Sequence, residues 1–108
     1  MASFLYQVAY TPEAWAAMAK NPQDRLAAIT PAVQALGGKI VAGYWAFGEY
    51  DLIVIVDGLS NGDAAAFAIA AAAGGACKAL RTTPLLTMAE GVEAARKAGA
   101  SSYKPPAS

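Results

Sequence analysis

The chain predicts an α+β domain built on one antiparallel sheet, with two main helices on one face. Three observations predict it. A period-two alternation near the N-terminus and strand-like runs through residues 39–57 and after residue 75 mark the strands. Two alanine-rich stretches between them carry helix start and stop signals. The resulting order, β, α, β, β, α, β and a terminal helix, is the split βαβ or ferredoxin-like arrangement, in which the first and third strands are central.

Each element has its own warrant. Phe4, Tyr6, Val8 and Tyr10 alternate with Leu5, Gln7 and Ala9, the period of a strand. Thr11 then caps a helix, Pro12 takes its first position and Glu13 favours its positive end, with Trp15 and Met18 inside. Asn21 and Pro22 repeat the start signal, and Leu26, Ile29, Val33 and Leu36 share one face until Gly37-Gly38. Pro31 falls within that stripe and predicts one bent helix instead of two. Lys39 to Phe47 and Tyr50 to Asp57 read as a hairpin closed by Gly48-Glu49 in a type II′ turn. That register pairs Phe47 with Tyr50, Ala46 with Asp51, Trp45 with Leu52 and Tyr44 with Ile53.

The next helix begins near Ser60 or Asn61 and closes at Gly74-Gly75. The run from Ala76 to Met88 is a final strand, marked as an edge by Lys78, Arg81 and Pro84. Thr87 and Glu90 form a capping box that opens a helix ending near Gly99. Residues 1–99 therefore read as a single domain and the polar, proline-bearing residues 100–108 as a flexible tail.

The predicted hairpin has two apolar faces. One carries Val41, Gly43, Trp45, Phe47, Tyr50, Leu52, Val54 and Val56, and the other Ile40, Ala42, Tyr44, Ala46, Asp51, Ile53, Ile55 and Asp57. Helices cover one face only, and the other would be a large exposed apolar patch. A second copy of the same sheet is the expected cover, giving a homodimer or higher homo-oligomer packed sheet to sheet.

Composition narrows the function. The chain is 56% hydrophobic, above the usual range of about 45–50%, and its eight basic and eight acidic residues cancel. No overall field draws it to nucleic acid or to an anionic membrane. The lone Cys77 forms no internal disulfide and favours a reducing, cytoplasmic setting. The N-terminus has no signal-like charge pattern, and no window reaches a membrane-spanning length. Histidine is absent, which removes the commonest general base and most zinc sites. The expectation is a protein with no cofactor and no metal.

Tyr10-Thr11, Asp24-Arg25, Gly37 to Lys39, Gly48 to Asp51 and Arg81 to Thr83 together resemble the GYD domain family, named for the glycine, tyrosine and aspartate that are here Gly48, Tyr50 and Asp51. The likeness covers roughly residues 3–92. It implies the dimeric α/β barrel superfamily, which includes cofactor-independent monooxygenases, muconolactone isomerases and stress-responsive barrel proteins. It implies no particular reaction, because one fold hosts many chemistries.

Asp51 is the weak candidate for a catalytic residue. It reads either as a carboxylate at a cavity mouth or as an acceptor for turn amides or an arginine. Tyr6, Tyr44, Trp45, Tyr50 and Arg81 join it as ligand-binding candidates, although aromatics at strand spacing commonly serve core or interface. Arg81 and Arg25 are natural partners for carboxylates. Cys77 reads as a small core residue, and Gly74-Gly75 as a helix end, not a phosphate loop.

The preferred function is a small-molecule binding, sensing or accessory protein with its cavity between sheet and helices and a small apolar or aromatic ligand. An alternative is a cofactor-independent enzyme, monooxygenase- or isomerase-like, in which Asp51 or Glu49 takes a proton from an aromatic or polyketide-like substrate. A third reading is an oligomerisation module. A cavity of a few hundred Å³ reaching Asp51 would favour the first two.

Overall fold

The computed structural model describes residues 2–107. Its elements are β1 (Ala2–Tyr10), α1 (Pro12–Lys20), α2 (Arg25–Ala35), β2 (Lys39–Trp45), β3 (Leu52–Leu59), α3 (Asn61–Ala73), β4 (Cys77–Leu85) and α4 (Met88–Gly99). The strands form one sheet in the order β2-β3-β1-β4, with each neighbouring pair antiparallel. This is the ferredoxin-like α+β fold, with β1 and β3 central.

Parity along the strands decides what is buried. Phe4, Tyr6, Val8 and Tyr10 of β1 and Leu52, Val54 and Val56 of β3 are buried beneath the helices, joined by Val33 of α2 and Ala64 of α3. Their neighbours Leu5, Gln7, Ile53 and Ile55 lie on the open face, half-buried.

Local capping forms the helices much as the sequence predicts. The hydroxyls of Thr11, Ser60 and Thr87 accept from the amides of Ala14, Asp63 and Glu90. α2 differs at its start: it opens at Arg25, because the Asp24 carboxylate accepts from both Leu26 and Ala27 amides. Asn21 ends α1 instead of starting α2. α2 runs continuously through Pro31 and closes with the Gly38 and Gly37 amides donating to the Val33 and Gln34 carbonyls. Gly37 supplies the positive φ, 87°, that this turn needs.

Two hairpin expectations are corrected. The turn is not a two-residue type II′ loop, since Gly48 is not among the glycines with positive φ. The Ala46 amide does donate to the Asp51 carbonyl at 2.8 Å, but the Asp51 amide turns to the Val8 carbonyl of β1, also at 2.8 Å. Asp51 is thus held to the central strand, and residues 47–50 bridge the gap as a wider loop. The pairs Trp45 with Leu52 and Tyr44 with Ile53 stand as expected.

Further along, a bulge between Ile40 and Ala42 moves the face assignment. Ile40 pairs with Val56 and packs on the core, while Val41 is left 53% exposed. Gly43 lies on the helix side too, where any Cβ would strike the Leu26 side chain.

Candidate functional site

Between α2, α3 and the helix side of the sheet lies a cleft of about 330 Å³. Its floor is Tyr6, Val8 and Tyr10 of β1 with Leu52 and Val54 of β3. Ala28 and Ala32 of α2 face Ala70 and Ala71 of α3 across it, with Ile29 and Phe67 deeper. The space has a simple origin. Alanine side chains end at Cβ, so two helices that meet through alanines leave unfilled volume unless their backbones close up.

Polar groups in the cleft are few. The Tyr6 hydroxyl donates to the Ala64 carbonyl at 2.8 Å, and its ring meets Phe67 edge-on at 5.1 Å. Burial pushes the Tyr6 phenol above its usual value. Cys77 lines the far side, where burial raises its thiol and the Arg25 cation partly opposes that rise. The Tyr10 hydroxyl makes no hydrogen bond among the described residues. Arg25, the first residue of α2, donates to the Gln23 side chain at 2.9 Å and has no ion-pair partner among them; the one ion pair joins Glu93 and Arg96.

Beside α1 a second hollow of about 190 Å³ is lined by Trp15, Met18 and Gln23, and shares Tyr10, Arg25 and Ala76 with the cleft. Its aromatic wall is braced from behind. One Asp51 oxygen, Oδ2, accepts from the Tyr10 amide at 2.9 Å and from the Trp15 indole at 3.2 Å. Tyr10, Trp15 and Trp45 form a cluster with ring centroids 5.5 to 6.1 Å apart.

The structure thus separates the residues singled out from the sequence. Tyr6 lines the cleft. Asp51 does not line it but holds the Tyr10 and Trp15 that border the second hollow. Trp45 joins that aromatic corner, Tyr50 sits half-buried in the turn, and Glu49 is exposed there. Tyr44, 69% exposed, and Arg81, opposite Gln7, belong to the open face. Among the described residues, no carboxylate borders the cleft.

Sequence reasoning passed over Tyr10, Trp15 and Phe67 as site residues, and left Arg25 only as a carboxylate partner. Tyr10 had a signal, since it shares the face of Tyr6 four residues earlier. Trp15 and Phe67 had none, because a helical face says which residues turn inward but not where a gap will remain.

The family model of the GYD domain matches residues 4–95, a span that holds β1 from Phe4 onward, the other three strands and both cleft helices. Among curated proteins and among solved structures, nothing matches the chain.

Proposed function

Because the chain belongs to the GYD domain family, we propose that it is a small-molecule binding protein whose site is the cleft between α2, α3 and the sheet, in a homodimer packed through the open faces. The single observation that carries the binding reading is the cleft itself: about 330 Å³ of largely apolar space with a few polar groups at its edge, the character of a ligand site. A solid oligomerisation module has no reason to keep it. The enzymatic alternative loses its base, since Asp51 is committed to Tyr10 and Trp15 and Glu49 lies in the exposed turn.

A cleft-filling variant tests this. Ala71→Phe places a ring in the gap while leaving the sheet and the caps untouched. A screen of small aromatic compounds by thermal denaturation should find ones that raise the melting temperature of the wild type. A ligand at a hundred times its Kd adds about 2.7 kcal/mol, worth several degrees in a domain of this size. Ala71→Phe should melt at or above the wild-type temperature and lose that response. Equal responses in both proteins would move the site away from the cleft.

A further inference from the structure

We infer that the cleft takes an anion: an aromatic or alicyclic carboxylate whose ring lies between the alanine walls and whose charge rests on Arg25 and the Tyr10 hydroxyl. This rests on the cleft being a binding site, and adds the class of ligand.

Arg25 is out of place for a purely structural residue. It occupies the first position of α2, where the helix presents its positive end and a cation is disfavoured. It is half-buried, it has no carboxylate partner among the described residues, and a single hydrogen bond to Gln23 engages a group with five donors. Such a guanidinium at the rim of an apolar cavity is well matched to a planar carboxylate, which it binds through two parallel hydrogen bonds.

The surroundings favour the same charge. Two acidic side chains of the neighbouring elements are committed elsewhere: Asp24 to the Leu26 and Ala27 amides, Asp51 to the Tyr10 amide and the Trp15 indole. Neither borders the cleft or the hollow beside α1. Tyr10 and Arg25 line both spaces, so one anionic group can meet both while the rest of the ligand extends into either. The field of Arg25 already enters the cleft, because it pulls the Cys77 thiol downward against burial. With low-dielectric walls around it, that field is worth more to a bound anion than it is in open water.

The test uses two probes of equal shape, naphthalene-2-carboxylate and naphthalene-2-carboxamide, titrated into ¹⁵N-labelled protein and followed by amide shifts. The carboxylate should bind the wild type at least tenfold more tightly than the amide. In Arg25→Gln the two should bind alike, with the amide within about twofold of its wild-type affinity and the melting temperature unchanged or higher, since the cation leaves the positive helix end. If the two probes bind the wild type equally, or if Arg25→Gln keeps the tenfold preference, the anion inference is overturned while amide binding leaves the cleft reading standing. If neither probe moves the amides of the cleft-lining residues, both fall.

Discussion

At the scale of the residue, Asp51 shows how a carboxylate comes to stand where an apolar strand begins. Its amide reaches β1, its carbonyl takes the Ala46 amide, and its side chain takes one donor from β1 and one from α1. The residue therefore ties the hairpin end, the central strand and the first helix together. Asp51→Ala leaves the Tyr10 amide and the Trp15 indole without their acceptor and should cost about 1.5–3 kcal/mol, whereas Asp51→Asn keeps an acceptor and should cost only about 0.5–1.5 kcal/mol. Urea midpoints at unchanged slope measure both. An Asp51→Asn protein of wild-type stability that fails to bind the cleft probes would instead put the carboxylate in the site. The sequence offered an acceptor role as one of two readings, with turn amides or an arginine as partners. The donors are instead the Tyr10 amide and the Trp15 indole, which lie 41 and 36 residues away in the chain.

The elements themselves were legible wherever their ends depend on residues within one turn. Thr11, Ser60 and Thr87 cap as their spacing predicts. α2 started later than expected because two signals competed, and Asp24, which satisfies two amides at once, prevailed over Asn21. α4 offers an element-scale test. The Glu90 carboxylate accepts from the Thr87 amide, and that bond lowers its pKa from the ordinary 4.5. A carboxylate depressed in the folded state stabilises above its unfolded value and loses that contribution as pH falls through the folded one. Amide-exchange protection at Thr87, Glu90 and Gly91, whose amides the capping box and first turn hold, should therefore persist from neutral pH to the ordinary carboxylate range and fall below it. The sheet should stay protected, because α4 buries no residue. Loss of protection in the sheet at the same pH would show α4 to be coupled to the core.

For the molecule as a whole, the sheet's second face remains to be covered. Leu5 pairs with Ile55 and Thr83, and Ile55 with Ala42, so an apolar row crosses β2, β3 and β1 on the side away from the helices and ends at Thr83 of β4. The Cα radius of gyration is 17.2 Å, against about 13 Å for a compact chain of this length. α4, which buries no residue, and the exposed residues 101–107 after it contribute to that excess. Sedimentation at micromolar concentration should give twice the chain mass of 11.0 kDa or a higher multiple. Ile55→Glu should reduce this to the monomer with the secondary structure intact, because a carboxylate at the middle of a dry interface has no partner. A wild-type monomer would overturn the sheet-to-sheet arrangement.

The sequence by itself determined the order of elements, the central position of β1 and β3, the caps of α1, α3 and α4 and the apolar character of both hairpin faces. Each rests on a period of two or 3.6 residues, or on contacts inside a single turn, so the information is local. Tertiary structure decided the rest. The bulge at Val41 belongs to the β2–β3 pairing, and the four-residue loop ends where the Asp51 amide docks on β1, which no spacing within the hairpin reveals. The cleft arises because Ala28 and Ala32 meet Ala70 and Ala71 without filling the space between them. Arg25 and Tyr10, 15 positions apart in the chain, both reach its edge only once α2 has packed on the sheet. A cavity is defined by side chains that fail to touch, and that failure exists only once both helices lie on the sheet.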